Sequence, residues 1–156
     1  MTSTVRLQGA SGINTDRIPK DRLTDMPLSS RSPIDRQYLK ENYLDVGFKD
    51  LLVEVLQIFQ QQSGEYLEIL QKAIDSGDIA ILAEEAHTMK GSAGSVGAME
   101  LSNRAKAIEL AAKAGEYEKA KKLFSELPEI LIRTDVAITA ELSYIASLDN
   151  SLDELL

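Results

Sequence analysis

The chain has no cysteine and no tryptophan, and His87 is the only histidine among its 156 residues. Without cysteine there is no disulfide framework, no thiolate zinc site and no cysteine nucleophile. A lone histidine offers too few nitrogen ligands for a transition-metal centre, so no metal and no cofactor are expected. No apolar run approaches the roughly 18 residues of a membrane helix, and the N-terminus lacks the apolar core of a signal peptide. The expectation is a soluble, cytoplasmic protein without membrane insertion. Positive charge is scarce as well: the net charge is −8. Residues 1–40 carry seven Lys/Arg against four Asp/Glu, net +3, and residues 41–156 carry ten against twenty-one, net −11. So acidic a body argues against nucleic acid as a partner, because phosphate contacts need a basic face.

What is present is helix-forming. A chain of this length fits one domain with a real core, and Ala, Leu, Ile, Glu and Lys dominate after residue 40. Residues 1–31 show no sustained period, include Pro19 and Pro27, and read as a flexible N-terminal arm or linker. Ser32-Pro33 suits a helix start, with a short helix over 33–43. Phe48, Leu51, Leu52, Val55, Ile58, Phe59, Tyr66, Ile69, Leu70, Ala73 and Ile74 recur at steps of three and four and predict one long helix. Gly77 suits its left-handed cap and Asp78 the next N-cap. A third helix is expected over 79–94 and a fourth over 98–114, each with an apolar stripe spaced 3, 4, 3, 4. A fifth pattern begins near Glu116, with Pro128 expected to kink or split it. The acidic tail, 147–156, is expected to fray. With no alternating strand pattern, the fold class is all-α: an up-and-down antiparallel four-helix bundle over 32–146 with a short extra N-terminal helix.

His87 lies off the core stripe of its helix. The stripe is centred on Ala86, Met89 and Ala93, whereas the face of His87 holds Glu84, Lys90, Gly91 and Gly94. Each glycine inside a helix costs about 1 kcal/mol against alanine. Two of them beside an exposed histidine leave it above bare backbone, open to close approach. Lys90, one turn away, is a cation that favours the neutral imidazole and pairs with phosphoryl oxygens. That suits a histidine that accepts a phosphoryl group from another protein, since such transfer is mainly positioning and charge stabilisation. A general acid–base histidine would instead sit in a pocket with an orienting carboxylate. On the residues alone the plainer reading stays open: a solvated histidine, Gly91 for helix packing, Gly94 at a fraying end, and Lys90 paired with a nearby carboxylate.

The stretch AHTMKGSAGSVGAMEL, from Ala86 to Leu101, resembles the signature of histidine phosphotransfer (HPt) domains: histidine, two residues, Lys-Gly, then a glycine ten residues after the histidine. AIELAAKAGEYEKA resembles the family's next helix and the turn beyond it, and the likeness covers about residues 33–145. It implies a four-helix bundle that carries phosphoryl groups between receiver-domain aspartates, a phosphocarrier with no ATP site of its own rather than an enzyme. Carried over, His87 is the phosphoacceptor, Lys90 the phosphate-stabilising and pKa-tuning residue, Gly91 and Gly94 give steric access, and Gly97 makes the turn. Lys113 falls where some relatives carry a second basic residue. The implied partners are receiver domains of a hybrid histidine kinase or of response regulators, met as a monomer. Two alternatives remain: the phosphoacceptor domain of a chemotaxis-type kinase, charged by that kinase's ATP domain, and a non-catalytic helical adaptor.

Overall fold

The computed structural model describes residues 32–155, with side chains through Asp149. The expected arm, residues 1–31, lies outside the described residues. Helix α1 (Arg36–Leu39) runs into a five-residue π turn, Lys40–Leu44. Then come α2 (Lys49–Ser76), α3 (Ile79–Ser95), α4 (Met99–Lys113), α5 (Tyr117–Phe124) and α6 (Leu127–Leu155). No strand occurs among the described residues. Helices α2, α3, α4 and the α5–α6 limb form the bundle, with α1 across one end, and α3 packs most extensively on α4. Helix α6 returns antiparallel to α2, since Lys49 meets Asp149 and Gln60 Nε2 donates to Thr139 Oγ1 at 3.0 Å. No described helix is long and apolar enough to cross a membrane.

The stripes account for the packing, with some corrections. On α3, Leu82, Ala86, Met89 and Ala93 are completely buried, and on α4 so are Leu101, Ala105 and Ile108. On α2 the buried line is Leu52, Leu56, Phe59, Ser63, Leu70, Ala73 and Ile74. Phe48, Leu51, Ile58 and Ile69, expected in that stripe, are exposed. Helix α2 carries more apolar side chains than three neighbours cover, so its flanking positions face solvent.

The helix ends follow local chemistry. Gly77 has φ 73°, and its N–H and that of Asp78 close back on the carbonyls of Ile74 and Ala73. Asp78 Oδ1 then accepts from the Ile81 N–H and starts α3. At the first helix, Asp35 is the cap in place of Ser32: its Oδ1 accepts from Tyr38 N–H at 3.0 Å, so α1 starts later than Pro33 suggests. Pro128 splits the last pattern. It is the second residue of α6, in the first turn, where a missing N–H costs nothing. The expected frayed tail is helical: α6 runs to Leu155, and Asp149 ties it to Lys49 on α2.

Candidate functional site

Two contacts fix the helix that carries His87. Tyr66 on α2 shares a 2.8 Å hydrogen bond with Ser92 on α3, and Ser102 Oγ on α4 donates to the Lys90 carbonyl at 3.0 Å. The hairpin of α3 and α4 turns at Gly97. Its φ of 73° suits glycine, and its N–H and that of Ala98 close on the carbonyls of Gly94 and Ala93. A Cβ on Gly97 would also lie 3.3 Å from the Asp35 carbonyl and from the Leu39 and Tyr38 side chains. Helix α1 thus clamps this turn, and Asp35 N–H donates to the Gly97 carbonyl at 2.7 Å.

Along the hairpin from that turn, His87 stands out with its side chain 64% exposed. Its Nδ1 lies 2.9 Å from Oε2 of Glu109 on α4. Glu109 is only 3% exposed, and its carboxylate gathers two more cations. Lys113 Nζ meets the same Oε2 at 2.7 Å, and Lys90 Nζ meets Oε1 at 3.1 Å. The Lys113 hydrogen bond is the largest influence on the Glu109 carboxyl. Burial opposes it, Lys90 and His87 reinforce it, and the pKa falls from 4.5 to about 2. Glu109 is therefore an ionised acceptor at neutral pH, so Nδ1 must be the ring nitrogen that carries hydrogen. In the neutral ring that leaves a lone pair on Nε2, which makes no hydrogen bond to any described residue.

Glu109 was not legible from the His87 motif, and it removes one contrast drawn from sequence: this histidine does have an orienting carboxylate. A faint signal existed. His87 is ten residues before Gly97 and Glu109 twelve after it, so an antiparallel hairpin brings them level. Glu109 also borders the apolar stripe of α4, next to Ile108 and one turn from Ala105 and Lys113. Lys90 is paired with a carboxylate, as the plainer reading held. Gly91 has no atom within 4 Å of where a Cβ would stand, so it packs against nothing. Gly94 lies inside α3, and a Cβ there would meet only Ser102 Oγ at an ordinary 3.6 Å. Four of the six residues singled out from sequence, His87, Lys90, Gly91 and Lys113, meet at this site or border it. Gly94 lies nearer the turn, and Gly97 forms the turn itself. An open depression of about 370 Å³ runs beside His87 toward the start of α3, between Ala80, Ala83 and Glu84 on one side and Glu109 and Lys113 on the other.

A comparison with curated proteins finds no match. Among solved structures, the histidine-containing phosphotransfer domain of ArcB from Escherichia coli is similar in fold. The TM-score is 0.57 at 23% identity, over 74% of this chain and 98% of that one. The family model for the Hpt domain matches residues 54–154, a span that takes in α3, α4 and the whole His87–Glu109 cluster, and the chain belongs to the Hpt domain family.

Proposed function

We propose that this chain is a phosphocarrier of a two-component phosphorelay. It accepts a phosphoryl group from a receiver-domain aspartate on His87 and passes it to another receiver. Family membership supports a phosphotransfer role in two-component signalling. The observation that carries the finer reading is the Nδ1–Glu109 hydrogen bond on an exposed ring: it fixes the tautomer and aims reactivity at Nε2.

The chemistry follows from that geometry. The Nε2 lone pair attacks phosphorus, forming P–N as the acyl P–O bond breaks and the aspartate leaves as carboxylate with the bonding pair. The Nδ1 proton stays in place, so the ring becomes cationic as Nε2 bonds to phosphorus, and the Glu109 carboxylate faces that growing charge. The reverse attack by a second receiver's aspartate returns the ring to neutral. Lys90 and Lys113, both held on Glu109, leave the cluster with surplus positive charge near the transferred group. Gly91 leaves backbone where a side chain would obstruct a docking receiver.

Incubation with a phosphorylated receiver domain tests this. Acid-labile, base-stable label on the wild type, absent from a folded His87→Ala variant, is the expected result. Label that persists in His87→Ala would sink the proposal.

A further inference from the structure

The two lysines on Glu109 are not equivalent. Resting on His87 as phosphoacceptor, we propose that Lys113 is the cation that moves onto the phosphoryl group, while Lys90 stays behind as the fixed counter-ion of Glu109.

The oxygen atoms of Glu109 make the distinction. Lys113 shares Oε2 with the His87 ring, so when Lys113 leaves, Oε2 keeps the Nδ1–H hydrogen bond. Among the described residues Oε1 meets only Lys90, so when Lys90 leaves, that oxygen is left bare on a carboxylate 4% exposed. An uncompensated buried oxyanion is costly, and the helix backbone holds Glu109 where it cannot follow its partner. Exposure points the same way: the Lys113 side chain is 61% exposed and that of Lys90 is 30% exposed. Lys113 also borders the open depression beside His87, whereas Lys90 does not. The charge count shows why one lysine is spare. One carboxylate and two ammonium groups leave the resting cluster at +1. Transfer of PO3⁻ to the neutral ring adds one negative charge and brings the cluster to zero. Lys90 alone neutralises Glu109, and Lys113 is the surplus cation that matches the incoming group.

Nitrogen-detected NMR of the lysine ammonium groups, before and after phosphorylation by a receiver domain, reads this directly. The Lys113 resonance is expected to shift strongly and that of Lys90 to stay close to its starting position. In parallel, Lys113→Gln should lower the equilibrium yield of phosphohistidine about five- to tenfold, the size of one charge-assisted hydrogen bond at an exposed site. Lys113→Arg should restore most of it. Lys90→Gln should instead lower the melting temperature of the unphosphorylated chain more than Lys113→Gln does. A Lys90 resonance that moves while Lys113 stays, or a phosphohistidine yield untouched by Lys113→Gln, overturns the division of roles but leaves the carrier reading intact. Absence of label on wild-type His87 overturns both.

Discussion

The hairpin of α3 and α4 is built differently at its two levels. At the turn the contacts are specific and space is closed. Gly97 is sealed under α1, Tyr43 Oη donates to the Ser95 carbonyl at 2.9 Å, and Glu100 takes both arms of Arg133 at 2.7 and 2.9 Å. Ten residues before Gly97, at His87, partners are in excess and space is open. One carboxylate serves three nitrogen groups, and Gly91 faces nothing. A pairing such as Glu100 with Arg133 fixes structure, because among the described residues Glu100 has no other cation, and losing Arg133 strands a carboxylate only 9% exposed. A carboxylate oxygen shared by two donors, as Oε2 of Glu109 is, can release one and stay satisfied. The same two helices thus carry a rigid anchor and a site with charge to lend.

Glycine substitution should break that contrast most sharply. Gly97→Ala is expected to cost about 2 kcal/mol, from a side chain at positive φ and from the crowding by Asp35, Tyr38 and Leu39, measured by chemical denaturation. A neutral outcome would mean that α1 does not clamp the turn.

A smaller effect at the shared carboxylate depends on pH. The folded pKa of Glu109 is depressed, so its stabilising contribution is present above about 4.5 and is lost as pH falls through about 2. The stability difference between wild type and Glu109→Gln should therefore narrow across that interval in acid denaturation, and a constant difference would contradict the charged cluster.

The smallest change has the opposite sign. Gly91→Ala should stabilise the fold by roughly 0.5–1 kcal/mol, because alanine is the better helix former and nothing obstructs its methyl group. A loss of stability would show that Gly91 packs after all.

Much of this was legible in the sequence because the relevant physics is local. The 3, 4 spacing on α3 and α4 named the buried residues, Gly77 and Asp78 marked a helix boundary, and the same periodicity put His87 on the exposed face. What stayed hidden depends mostly on neighbours far along the chain. Asp35, rather than Ser32, caps α1, and its own N–H is held by the Gly97 carbonyl at the far hairpin. Helix α6 persists past the expected boundary because Asp149 reaches Lys49, one hundred residues away. Leu56 is completely buried although it was missing from the expected stripe, while Phe48 and Leu51 are exposed. Periodicity gives a face but not how wide a face the neighbours cover. Glu109 was hidden for a related reason: its importance comes from the helix across the hairpin, and in its own segment it is one acidic residue among alanines.

The closing run of α6 beside the start of α2 has a practical consequence. Arg36 on α1 pairs with Glu141 on α6, and Asp35 sits on Gly97, so both ends of the described chain leave the bundle at the hairpin-turn end. His87 stands ten residues from that turn, about 15 Å along α3. A fluorophore, tag or tethered receiver joined at either end therefore starts from one shared anchorage, like a leash fixed to one end of a post. Its length alone would then set how often a tethered partner reaches the histidine partway along.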